Sequence, residues 1–178
     1  MASFIFRLAR IAVSAAAILL VSGCVRCSGV YEEESGGPTR DDFIRYNRRL
    51  FWCDSFCIAK YSDSLGLNPV PTKSNLWLTI RKQGSGPMVE DGDKVTLDYV
   101  ATTLLGDTVY TSAADGRIAM VVGKVSVCLG LDEAVRNLRH GGSEATAILI
   151  PEMAFGVRGD DKKVRGRLIL RYDIHLLD

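Results

Sequence analysis

The sequence predicts an α+β domain in which an antiparallel sheet wraps one amphipathic helix, and three observations predict it. Beyond Asn75 the apolar residues change from helical spacing to alternation. One short helical stretch interrupts that alternation, and glycine-containing turns separate its segments. The chain has 178 residues, 47% of them hydrophobic and 24% charged, which suits one well-buried domain and is too short for two large ones. Lys plus Arg number 22 against 21 Asp plus Glu, so nothing supports nucleic-acid binding through phosphate neutralisation.

Residues 1–23 read as an export signal. Arg7 and Arg10 precede an uncharged run, Ile11 to Gly23, that falls short of the roughly 20 apolar residues a spanning helix needs. Val21, Ser22, Gly23 and Cys24 resemble a bacterial lipobox, which would make Cys24 a lipidated N-terminus; an ordinary signal peptide with a coincidental cysteine is the alternative. Two or three acyl chains, each buried methylene contributing about 0.8 kcal/mol, would hold the protein on a membrane. The expected location is a bacterial cell envelope, at an outer membrane facing the periplasm or the surface. Residues 24–39 carry Glu32, Glu33, Glu34, Ser35, Gly36 and Gly37 and read as a flexible tether; a sorting signal is the alternative use of the acidic run.

Residues 40–74 are expected to form an amphipathic helix and a linker. Phe43, Tyr46, Leu50, Phe56, Cys57, Tyr61 and Leu65 recur at helical spacing, Asp41 and Asp42 stand in the first turn, and Gly66 ends the run. That stripe is expected to pack on the following domain or, as self-association through 43–65, on a second copy. Cys53 and Cys57, four residues apart, are poorly placed for an unstrained disulfide, and their spacing is not a usual zinc pattern. No metal or other cofactor is implied. The two prolines of Gly66 to Ser74 mark the linker.

The domain is expected over 75–178. Leu76, Leu78 and Ile80 alternate with Trp77 and Thr79, and Val95, Leu97, Tyr99 and Ala101 with their polar neighbours. Met120 to Val122 and Ala145 to Ile150 supply further strands. In the last, Leu168, Leu170, Tyr172, Ile174 and Leu176 form one face, while Arg167, Arg171, Asp173 and His175 point to a wet side. Leu131 to Arg139 is the interrupting helix, and His140 at its end is expected to meet terminal carbonyls and the dipole. Among familiar catalytic patterns, Gly84 to Gly86 leads into Pro87 instead of a phosphate-binding helix, and no G-x-S-x-G elbow is present. The residues offer a lined apolar cavity more readily than a polar catalytic cluster.

Three stretches carry a resemblance: GSGPMVEDGDKVTLDYVATTLLGDTVYTS, VVGKVSVCLGLDEAVRNLRHGGSEATAILIPEMAFG and LILRYDIHLLD. From Gln83 to Asp178 the chain resembles an FKBP-type peptidyl-prolyl isomerase domain. The likeness extends to lipid-anchored bacterial members with a preceding helix, some of them linked to gliding motility. The resemblance implies a five- or six-stranded, strongly curved antiparallel sheet around one short helix, with the site between helix and concave face. It implies aromatic walls from Tyr99, Tyr110, Phe155 and Tyr172, and a rim at Val127 and Cys128, the second offering its backbone N–H to a substrate carbonyl. Leu131 would be the floor. Without the resemblance, Tyr99, Leu131, Tyr172 and Cys128 read as core.

The sequence departs from the family where Thr111 replaces the usual Asp and Phe155 the usual Tyr, and Leu131 stands for the common Trp. The loop before the last strand, Asp160 to Gly166, offers Val164 as its apolar contact. One lost neutral hydrogen bond is worth about 0.5–1.5 kcal/mol, so these losses weaken a site without abolishing it. The implied function is isomerisation of X-Pro bonds, reduced by Thr111 and Phe155, in proline-containing clients among exported or envelope proteins. A non-catalytic peptide- or protein-binding module, or a structural component of an envelope assembly, is the alternative.

Overall fold

The computed structural model describes residues 37–177. The export segment, Cys24 and most of the tether lie outside them. From Asp41 onward the chain forms one compact unit. Among the described residues no helix is long and apolar enough to cross a membrane.

Helix α1 (Arg40–Ser64) has Asp41 and Asp42 in its first turn, as expected. Gly66 closes it with φ of 63°, and the Leu67 amide turns back to the Ser62 carbonyl at 2.9 Å. The face it buries differs from the predicted stripe. Ile58 and Ser62 are buried, whereas Phe43, Tyr46, Phe56, Cys57 and Leu65 are exposed. Ile58 packs with Ile148 and Ile150, flanked by Tyr61, Trp77, Leu104, Met153 and Ile169. Arg167 donates to Asp54 at 2.7 Å and Arg171 to the Tyr61 hydroxyl at 3.2 Å. The face expected to be wet is therefore partly roofed by α1.

The strands are β1 (Val70–Pro71), β2 (Trp77–Lys82), β3 (Lys94–Thr103), β4 (Thr108–Thr111), β5 (Ile118–Val121), β6 (Glu144–Leu149) and β7 (Leu170–Leu176). They form one antiparallel sheet in the order β1-β2-β6-β7-β3-β4, with β5 also on β3. Two of the seven were not foreseen. β1 lies in the expected linker, where Pro71 is tolerable because the strand is at the sheet edge. β4 is a short strand between the turn at Gly106 and helix α2 (Ser112–Asp115).

β4 and β5 share one edge of β3: Val100 to Thr102 face β4, and Lys94 to Leu97 face β5. Between them α2 loops out, and the Ser112 hydroxyl stands in for a strand partner. It accepts from the Tyr99 amide at 2.5 Å and donates to the Tyr99 carbonyl at 3.1 Å. Register shifts after Ala101 and after Ile80 mark irregularities of the kind that bend strands.

On the concave face lies α3 (Leu129–Arg136), which starts two residues before the predicted span and stops short of it. Leu131, Ala134, Val135 and Leu138 are fully buried against Leu97, Leu149, Ile174 and Leu176. Gly130 permits this approach, because a Cβ there would stand 2.6 Å from Leu149 Cδ2. His140 pairs with a carboxylate. Its Nε2 lies 3.1 Å from Asp93 Oδ2, so it ties α3's trailing turn to the start of β3 through a carboxylate. Cys53, Cys57 and Cys128 are free thiols, the first two exposed.

Candidate functional site

The concave face of the sheet decides where the aromatics go. Tyr172 on β7 pairs with Ala101 on one side and Ala147 on the other, and these two small side chains leave room for its ring. Tyr172 is 1% exposed and stacks on Tyr99, itself 8% exposed, with centroids 6.1 Å apart and planes at 26°. Burial raises both phenols above the ordinary tyrosine range, so both are neutral. Tyr110 arrives from β4, and Phe155 from the turn after β6 that begins with the 3₁₀ segment Pro151–Met153.

Together these rings line a cleft of about 490 Å³, with Ile118, Ser126 and Val127 completing its walls. All four predicted aromatics and Val127 thus meet in one place. The side chains of the other predicted residues are not part of its lining. Cys128 stands at the N-cap position of α3 and is buried; burial pushes its thiol up to about 11, which makes it a small apolar side chain at neutral pH. Leu131 and Val164 are buried in the same core cluster as Tyr172, behind the cleft wall. Thr111 is turned away: its hydroxyl caps α2 by accepting from the Ala114 amide at 3.1 Å.

The polar edge of the cleft came from residues the sequence did not single out. Asp160, Lys162, Lys163 and Asp115 all line it. The Tyr110 hydroxyl donates to Asp160, which also accepts from the amides of Lys162 at 2.9 Å and Val164 at 2.8 Å. This is Asx-type turn chemistry, and an Asp after glycine in a polar loop is the one sequence signal that pointed to it. Gly159 closes the loop at φ of 83°, where a Cβ would strike the Val164 carbonyl at 2.1 Å. The bond to Asp160, aided by burial, pushes the Tyr110 phenol up to about 12. Burial alone would raise Asp160, but the bonds from Tyr110 and the loop amides win and hold it below the usual carboxylate range. Across the mouth, Lys163 donates to Asp115 at 2.6 Å with its Nζ 4.7 Å from the Tyr110 ring centroid.

The cleft is thus aromatic on its walls and charged along one edge, a concave shape of the kind that binds ligands. Residues 86–177 match the family model described as FKBP-type peptidyl-prolyl cis-trans isomerase, and the chain belongs to that family. FK506-binding protein 1 of Gibberella zeae is 32% identical over 103 residues, 55% of this chain and 92% of that protein. Two solved structures share the fold. The crystal structure of AtFKBP13 matches with a TM-score of 0.57 at 22% identity, covering 62% of this chain and 98% of that one. FkpA from Escherichia coli matches with a TM-score of 0.59 at 21% identity, covering 74% of this chain and 63% of that one.

Proposed function

We propose that this chain isomerises X-Pro peptide bonds in exported or envelope proteins, held at a bacterial envelope membrane by lipid on Cys24. One observation carries the enzymatic part: Tyr99, Tyr110, Phe155 and Tyr172 surround an open cleft of about 490 Å³. Rotation about the peptide bond crosses a barrier of about 18–20 kcal/mol because amide resonance is broken midway. The twisted amide is less polar than either planar isomer, so an apolar pocket binds it more tightly than the ground states and lowers the barrier. Tyr172 and Tyr99 supply that pocket with neutral rings. The rim at Val127 and Cys128 is where a backbone N–H would hold the carbonyl of the substrate. No covalent step is needed, and no proton has to move. Cis-to-trans relaxation of proline peptides, with the residue before proline varied, tests this: the purified chain should accelerate it, and no acceleration across the series would remove the enzymatic claim.

A second reading is favoured by particular contacts. The Tyr110 hydroxyl is spent on Asp160, Phe155 has no hydroxyl, and Thr111 faces away from the cleft. A protein-binding module without turnover would then grip proline-containing segments, and it predicts saturable binding without acceleration. Self-association belongs to the same proposal, since Phe43, Tyr46, Trp52 and Phe56 are exposed on α1. Sedimentation of the full chain beside one lacking 43–65 measures it.

A further inference from the structure

The mouth of the cleft holds a cation already. Lys163 reaches from the loop before β7 to Asp115 on α2, the wall opposite, and its ammonium lies over the face of Tyr110. Carboxylate and ring face converge on one point, and both attract positive charge. The present occupant is loosely held, because Lys163 is 48% exposed along its side chain and belongs to a flexible, strongly hydrated residue type. Asp115, at 23%, is the more sheltered partner. Lys163 and the Thr111 amide hold it below the usual carboxylate range, so it is charged at neutral pH. Asp160 adds a second fixed negative charge on the lining, and Lys162 the only other positive one among the lining residues.

We propose that Asp115 and the face of Tyr110 form a subsite for a cationic side chain of the bound peptide, with Lys163 as its built-in competitor. The inference rests on the peptide-binding reading above and deepens it by naming a substrate class: proline segments carrying Lys or Arg beside the proline. A peptide that displaces Lys163 with a neutral or acidic side chain leaves Asp115 without its ion-pair partner, whereas a basic one replaces like with like. The subsite therefore discriminates by what it leaves unpaired as well as by what it attracts.

The test is a titration, followed by NMR, of three proline tetrapeptides that differ only in the residue before proline: Leu, Lys or Glu. The proteins are the full chain, Lys163→Met, which keeps the stem and removes the charge, and Lys163→Met combined with Asp115→Asn. Lys163→Met should tighten the Lys peptide about three- to tenfold relative to the Leu peptide, the scale of an exposed ion pair plus a cation–π contact. Adding Asp115→Asn should erase that relative gain. If the three peptides gain alike, Lys163 is a steric plug, and the subsite is refuted while peptide binding stands. Persistence of the Lys preference after Asp115→Asn likewise refutes the subsite. Failure of all three peptides to bind any form overturns both this inference and the reading beneath it.

Discussion

Replacing Ile58 with Ala probes whether α1 is part of the folded unit or only appended to it. Ile58 is fully buried in a cluster with Ile148 of β6 and Ile150 just after it, on the face of the sheet opposite the cleft. The change removes three carbons, worth about 2–3 kcal/mol at roughly 0.8 kcal/mol per buried methylene, and adds a cavity term. The flanking bonds, Arg167 to Asp54 and Arg171 to Tyr61, hold the helix in place and limit how far it can settle into the gap. A total loss of about 2–4 kcal/mol follows, equivalent to a fall in Tm of roughly 6–15 °C for a unit of this size. Thermal unfolding by circular dichroism reads it directly, and peptide binding at 25 °C should be unchanged because the cleft lies on the other face. A fall of less than about 2 °C would refute the docking of α1 on this surface.

Restoring a hydroxyl with Phe155→Tyr should strengthen peptide binding or turnover by up to about tenfold, the worth of one neutral hydrogen bond; titration of a proline tetrapeptide shows it, and the change in Thr111→Asp should be smaller because that side chain faces α2. Asp160 has a lowered carboxyl value when folded, so its hold on the 160–164 loop is complete at neutral pH and fades as pH falls below the ordinary value of about 4 and through the folded value. The protection of the Lys162 and Val164 amides, taken relative to the intrinsic exchange rate at each pH, should fall over that window, and in Asp160→Asn it should already be low at pH 7. Maleimide at pH 8 should label Cys53 and Cys57 in the native protein and spare Cys128 until denaturant is added, as peptide mapping by mass spectrometry would report.

The sheet was legible where one face is buried and the other is not. In the last strand the alternation of Leu170, Tyr172, Ile174 and Leu176 matches the buried positions one for one. α1 was legible as a helix, but its docking face was not. Its N-terminal half carries large apolar residues that remain exposed, Phe43, Ile44, Phe51 and Trp52 among them, so apolar spacing alone could not single out Ile58 and Ser62. The aromatic lining was readable only through the family likeness, since Tyr99 and Tyr172 sit on core faces and periodicity treats them as core. Asp115, Asp160 and Lys163 were invisible because each arrives from a turn or a very short helix and is placed by pairings 48 and 50 residues apart. Thr111 shows the opposite failure: sequence position put it in the site, and local capping chemistry turned it away.

Backbone amide shifts during titration of the full chain with a proline tetrapeptide show whether the concave cleft is where peptide binds. Peptide in the cleft should give the largest shifts at Tyr110, Val127, Cys128 and Phe155 and none along α1 or on the outward side of β2. Saturable shifts confined to α1, or none at the cleft while the peptide binds, would contradict that placement.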